Sequence, residues 1–257
     1  MNILCIGDVI GTVGTQFLMK HLPAIKRLKA VDVCIVNGEN SADTNGVTPA
    51  SAENLFQCGA DILTGGNHSF QRRESYDMYE SDNRPVLRPA NFPDVCPGTG
   101  LHILDKGRYR LAVINLMGLV DMVETLACPF DTADRLIKQC GTPFIAVDFH
   151  AEATAEKRAL AEYLDGRVSF LFGTHTHVQT ADEQILAGGT GFITDVGMTG
   201  PINSVIGCRV EAAVNKLRSH MPARLDYADG PCMINGVLFE LDEKTGKTVS
   251  VERINIT

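Results

Sequence analysis

The chain has 257 residues, 44% hydrophobic and 21% charged, the proportions of a soluble globular protein. Its net charge is −8, and it lacks the basic stripe that a duplex or a long RNA needs, which argues against a nucleic-acid strand as partner. No apolar run approaches the roughly 20 residues that span a bilayer, and residues 1–6 lack a basic flank, so the start reads as a strand and not as a signal peptide. A cytoplasmic protein without a membrane partner is expected. The eight cysteines form no CxxC pair and several lie inside apolar runs, so free thiols in a reducing compartment are expected.

Residues 2–6 form an apolar run read as a buried strand, and a helix with apolar Phe17, Leu18, Leu22, Ile25 and Leu28 follows over 15–28. Gly7, Gly11 and Gly14 do not have the G-x-G-x-x-G spacing of a dinucleotide site, and Asp8 would turn a carboxylate toward a pyrophosphate. An aspartate at the carboxyl end of a first strand suits a metal; the structural alternative is a cap on the next turn. A second strand, 31–36, runs into Asn37-Gly38-Glu39-Asn40, and Thr48-Pro49 caps and opens a helix that ends near Cys58. A third strand, 61–64, leads to Gly65-Gly66-Asn67-His68, which is either an ordinary turn or a place where backbone approaches a ligand closely. Residues 76–100, rich in Pro, Asn, Asp and Arg, read as a long ordered loop, with Arg88 either a phosphate contact or a solvated arginine.

Strands over 102–104 and 109–116 enclose a Lys106-Gly107-Arg108 turn and begin the second half. The irregular stretch 117–130 suits a lid or a homo-oligomer contact. A helix over 132–140 and a strand over 144–147 precede His150, and a helix over 156–164 takes Thr154 as its N-cap. A strand ending at Phe172 leads to Gly173-Thr174-His175-Thr176-His177. A further strand over 191–194, a Gly-rich loop over 195–201, a helix over 211–217 and a terminal antiparallel hairpin, 232–241 with 248–256, complete the chain. With no repeat and no linker, one layered domain over 1–257, two sheets flanked by helices, explains the pattern.

Donor side chains thus follow five apolar runs: Asp8, Glu39 with Asn40, Asn67 with His68, His150, and His175 with His177. The carboxyl ends of parallel strands share one rim, where α/β proteins build their sites. Two carboxylates, three imidazoles and Asn side chains are too many donors for one structural zinc and suit two ions sharing a carboxylate about 3.5–4 Å apart. Mixed N and O ligation fits iron, manganese or zinc.

Taken in order, these motifs resemble those of the calcineurin-like metallophosphoesterases, and more closely the YmdB-like branch, bacterial cyclic-nucleotide phosphodiesterases. The superfamily usually carries Asp-x-His and Gly-Asp in its first two motifs. This chain has Asp8-Val9-Ile10 and Gly38-Glu39-Asn40 instead, as in the YmdB-like branch. The resemblance implies an α/β calcineurin-like fold, a two-sheet β-sandwich core flanked by helices in αββα layers. It implies two divalent or trivalent metal ions, Fe or Mn before Zn, one held by Asp8, Glu39, Asn40 and His177 and the other by Glu39, Asn67, His150 and His175. A hydroxide bridging them would attack a small phosphodiester, a 2′,3′- or 3′,5′-cyclic nucleotide. His68 would be the general acid, or would orient the substrate. Two alternatives stand beside this activity: a metal-dependent phosphomonoesterase, and a regulatory protein that senses a nucleotide with little turnover.

Overall fold

Long apolar runs without alternation demand burial on both faces, and this chain meets that demand by stacking two sheets between helices. The computed structural model describes residues 1–81 and 84–257. The first half holds β1 (Asn2–Ile6), β2 (Asp8–Val9), α1 (Gly11–Leu28), β3 (Val33–Asn37), α2 (Pro49–Gln57) and β4 (Ile62–Thr64). A 3₁₀ helix (Arg73–Glu80) then leads to β5 (Leu101–Asp105), β6 (Arg110–Met117), α3 (Pro129–Ile137), β7 (Phe144–His150), α4 (Thr154–Leu164) and β8 (Phe170–Thr174). The rest holds β9 (Gln184–Ile185), β10 (Gly191–Ile193), β11 (Met198–Pro201), α5 (Val210–Ser219), β12 (Cys232–Leu241) and β13 (Thr248–Ile256).

A seven-stranded sheet has the order β2-β11-β12-β1-β3-β4, with β13 also on β12. Within it β1, β3 and β4 are parallel, with Leu4 opposite Cys34 and Val36 opposite Leu63. A six-stranded sheet has the order β5-β6-β7-β8-β10-β9, its four middle strands parallel. Side-chain alternation sorts each strand between two cores. Ile3 and Cys5 of β1 face the space between the sheets, against Phe170, Phe172 and Phe239. Leu4 and Ile6 face Leu18 and Leu22 of α1 and Leu55 of α2. On the far side, Ile114, Val147 and Leu171 pack on Leu136 of α3 and Leu160 of α4. The expected αββα layering follows. Phe170 stacks on Phe239 across the sheets at 4.1 Å; burying one such ring stabilises the fold by about 1.5–3 kcal/mol.

Local chemistry explains several boundaries. Thr48 caps α2 reciprocally: its Oγ1 accepts from Ser51 N at 3.1 Å, and its own N–H donates to Ser51 Oγ at 3.0 Å. Thr154 does not cap α4; it is the first helical residue, and Ala153 holds the cap position without a side-chain bond. Helix α1 begins at Gly11, four residues before the periodicity places it, because Gly14 lets the helix touch β11: a Cβ there would lie 2.3 Å from Thr199 O. These glycines serve packing, not a pyrophosphate. The Gly-rich segment read as a loop contains strand β11, and the stretch 76–100 opens with the end of the 3₁₀ helix; positions 82 and 83 lie outside the described residues. Arg88 fits neither expectation: it is buried, donating from Nη1 to Pro89 O at 3.0 Å and from Nε to Pro97 O at 3.3 Å, and so pins that stretch. All eight cysteines are free thiols. Among the described residues no helix is long and apolar enough to cross a membrane.

Candidate metal centre

The carboxyl ends of β1, β3 and β4 meet those of β7 and β8 along one rim, and every residue singled out as a donor lies there. From the seven-stranded sheet come oxygen atoms. Asp8, Glu39 and Asn40 are all but fully buried. Asn40 turns its Nδ2 to the cluster, donating to Glu39 Oε1 at 3.2 Å and Asp8 Oδ1 at 3.5 Å and lying 3.4 Å from His177 Nε2, so the oxygen expected as a ligand faces His68. The His68 backbone N–H donates to Glu39 Oε2 at 3.0 Å, and its ring Nδ1 lies 3.1 Å from Glu39 Oε1 and 2.9 Å from Asn40 Oδ1.

The six-stranded sheet brings nitrogen. His150 is the last residue of β7, which runs three residues beyond its predicted end. Its Nε2 lies 2.9 Å from Asn67 Oδ1, 3.3 Å from Glu39 Oε1 and 3.0 Å from His175 Nδ1. Ligand-type atoms of Glu39, His150 and His175 all fall within 4.8 Å of one another. His177 points the other way, its Nε2 3.5 Å from Asp8 Oδ1. The two histidines of the loop therefore serve the two ends of the cluster, as the alternation of a strand end allows.

Hydrogen bonds behind the rings test whether this arrangement fits metal ions. Thr174 Oγ1 donates to Asp148 Oδ1 at 2.8 Å and so receives the Nδ1–H of His150 at 2.9 Å. His177 Nδ1 donates to Ile206 O at 2.8 Å, and His175 Nε2 to Glu152 Oε2 at 3.2 Å. Each neutral ring then turns a bare nitrogen inward, toward carboxylate and amide oxygens. The carboxylates and bare nitrogens gathered here call for positive charge, which the Asn40 Nδ2 donor among them supplies only in part, and second partners that fix the tautomer are what metal-bound histidines have. Gly66 keeps the space clear: a Cβ there would sit 2.3 Å from both Glu39 Oε2 and His150 Nε2. The donor set fits divalent metal ions.

The electrostatics express the same demand. Burial would raise Glu39, but His150 and then His68 outweigh it and hold its carboxyl well below the usual range. Burial likewise raises Asp8, and His177 brings it down. Burial works to strip His150 of its proton, yet Glu39, Asp8 and Asp148 push its pKa up to about 9. Burial and the nearby His150 push His175 down to about 3.

The loop after β8 is held in an unusual conformation. His175 and His177 have φ of 102° and 63°, in the left-handed region that costs a non-glycine residue about 1–3 kcal/mol. Between them Thr176 is tied down: its N–H and Oγ1 donate to Asp195 Oδ2 at 3.1 and 2.8 Å. The same oxygen accepts from Lys157 Nζ of α4 at 2.7 Å, and both members of this ion pair are buried. Gly173 leaves room for that lysine, since a Cβ would meet its Cδ at 2.8 Å.

A family model described as YmdB-like protein matches residues 4–254. The chain belongs to the YmdB-like family. A curated member, the 2′,3′-cyclic-nucleotide 2′-phosphodiesterase of Bacillus subtilis (strain 168), is 43% identical to this YmdB-like chain, covering 100% of it and 97% of the relative. A crystal structure of a novel phosphatase from Mycoplasma pneumoniae superposes with a TM-score of 0.94 at 31% identity, covering 100% of this chain and 93% of that one. The NAD nucleotidase of Haemophilus influenzae shares the fold alone, with a TM-score of 0.62 at 14% identity over 99% of this chain and 55% of that one. The fold of this YmdB-like protein is thus the calcineurin-like metallophosphoesterase arrangement expected from its motifs.

Sequence reading missed the residues that support the cluster. Asp148 accepts from Thr64, Thr174 and Asn37, and Asn115 clamps Gly65 by accepting its N–H at 2.9 Å and donating to its carbonyl at 3.1 Å. An aspartate inside the apolar run of β7 was a usable signal. Lys157 gave none, because a lysine on an amphipathic helix reads as solvent-facing. Asn45, whose Nδ2 lies 3.3 Å from His68 Nε2, and Tyr227, whose hydroxyl donates to Asn45 Oδ1 at 2.7 Å, carried none either.

Proposed function

We propose that this protein, as one metallophosphoesterase domain over 1–257, hydrolyses small cyclic nucleotides at two metal ions, 2′,3′-cyclic first and 3′,5′-cyclic second. Its membership places it among phosphoric diester hydrolases. The observation that carries the reading is the convergence of Glu39, Asn67, His150 and His175 beside Asp8, Asn40 and His177. Asp8, Glu39, Asn40 and His177 would hold one ion, and Glu39, Asn67, His150 and His175 the other, with Glu39 shared. When bound, such ions withdraw charge from phosphoryl oxygens and bring the pKa of water from 15.7 to about 7. The mixed donor set suits iron or manganese, then zinc.

The chain's own residues supply the rest. His68 Nδ1 faces Glu39 and Asn40, which leaves Nε2 as the nitrogen turned away from the cluster. His68 is the candidate general acid, passing a ring proton to the departing sugar oxygen as the P–O bond breaks, or, as a neutral tautomer whose Nε2 accepts from Asn45 Nδ2, the residue that orients the substrate. The Asn45 amide beside Nε2 fixes the ring plane. His68 is about a quarter exposed, open enough for substrate to reach, whereas His150 is sealed behind it.

Anaerobically purified protein, with its metal content measured, should turn over 2′,3′-cyclic nucleotides in Mn²⁺ or Fe²⁺. Metal-loaded protein inert toward cyclic nucleotides and toward an aryl phosphodiester would defeat the reading. His68→Ala should keep its metal and lose about 10²–10⁴-fold in turnover; activity that survives removes His68 from the acid role. Phosphomonoesterase activity is the second reading, favoured by the phosphatase from M. pneumoniae at 31% identity. Rates on matched aryl mono- and diesters separate the two.

A further inference from the structure

Beside the cluster lies a groove of about 350 Å³ in which His177 is one wall. Two larger cavities, about 570 and 510 Å³, have none of the seven cluster residues in their walls. The groove's apolar side is formed by Met198, Met233, Ile202 and Ile206. Ile202 and Ile206 are 39% and 51% exposed, so apolar surface faces water where a ligand would cover it. Ile206 is also the residue whose carbonyl accepts the Nδ1–H of His177, which couples this wall to the metal centre.

Its polar side is equally particular. Asn235 of β12 is 2% exposed, and its Nδ2 has no hydrogen-bond partner. A buried donor without an acceptor costs about 1–3 kcal/mol, which a ligand's acceptor can relieve. Asn255 of β13 stands directly opposite Asn235 in the antiparallel register, and both line the groove. Paired cross-strand residues project from the same face about 4.5–5.5 Å apart at Cβ. Two amides at that spacing match the alternating donors and acceptors along a base edge. Thioethers and branched aliphatic groups opposite them suit the flat face of an aromatic ring.

We propose that this groove is the nucleoside subsite of the enzyme, an assignment that rests on the cyclic-nucleotide reading. The phosphodiester sits at the metal centre, the ribose passes His177, and the base lies on Met198, Met233, Ile202 and Ile206 with its edge on Asn235 and Asn255. The site therefore selects nucleoside phosphodiesters over phosphodiesters of equal charge without a base.

The test uses full-length, metal-loaded protein and methyl p-nitrophenyl phosphate, whose groups are too small to fill the groove. Adenosine 3′-monophosphate and inorganic phosphate are compared as inhibitors of its hydrolysis. In the wild type the nucleotide should inhibit at a concentration at least about tenfold lower than phosphate. In Ile202→Trp, which fills the groove, and Asn255→Ala, on its exposed rim, that gap should shrink to under about threefold while aryl-diester kcat/KM stays within about twofold. Saturation-transfer NMR, which does not depend on turnover, should show the base protons of adenosine 3′-monophosphate contacting the wild type and not Ile202→Trp. Absence of the gap in the wild type, a gap unchanged in both variants, or an aryl-diester rate falling in step with it would each overturn the subsite. Failure of the underlying reading looks different: the wild type then hydrolyses the aryl diester but no cyclic nucleotide, whatever the inhibitor gap.

Discussion

The two sheets bring different chemistry to one rim. The seven-stranded sheet contributes oxygens from Asp8, Glu39 and Asn67, with the amide of Asn40 between them; the six-stranded sheet contributes nitrogens, from His150, His175 and His177. They are also held differently. The oxygen donors sit on the residues that follow β1, β3 and β4, steadied by near neighbours such as the His68 N–H on Glu39. The nitrogen donors need outside help. His150 is oriented through Thr174 and Asp148, and the strained loop carrying His175 and His177 is tied through Thr176 to a buried Lys157–Asp195 pair. A carboxylate can bind through either of two oxygens, whereas an imidazole must present one nitrogen along one direction, so its tautomer and ring plane have to be set from behind.

The contrast breaks most severely at the residue where the halves meet. Glu39→Gln keeps the shape of the side chain and removes the charge both halves face, so turnover of a phosphodiester should fall by about 10³-fold, the scale on which one central electrostatic contact registers. Metal analysis of the same variant should show fewer ions bound per chain than in the wild type; full metal content with full activity would place the shared carboxylate elsewhere. Next comes the brace of the nitrogen half. Lys157→Met leaves Asp195 buried and charged beside the Thr176 donors, which should cost about 3–5 kcal/mol in urea unfolding. A cost under about 1 kcal/mol, the worth of an exposed pair, would show that the loop stands without it. The smallest effect sharpens the comparison furthest. Thr174→Val preserves volume but deprives His150 Nδ1 of its acceptor, and metal affinity measured by competition with a chelator should drop about 10–100-fold.

Much of this was legible before any fold was known. Asp8, Glu39, Asn40, Asn67, His68, His150, His175 and His177 announced themselves because each follows an apolar run, and a polar residue at the end of a buried strand must emerge at the rim. The layered core was legible for the same reason: runs such as Phe144–Val147 are apolar on both faces and need cover on both. Asp195 ends an apolar run as well, yet it faces inward to Lys157, and nothing local distinguishes it from Asp8. Arg88 shows the opposite failure, a loop arginine that polarity assigns to solvent or substrate and that packing buries on carbonyl groups.

The sequence by itself determined which donor types reach the rim and in what order, because hydrophobic period and strand ends are local properties of the chain. Only the tertiary structure decided which donors meet. It set Glu39 against His150, turned His175 and His177 to opposite ends of the cluster, and laid Asn235 beside Asn255 in the wall of the groove. Those meetings depend on how two sheets stack and on the register between strands, where a shift of one residue would turn each side chain to the opposite face.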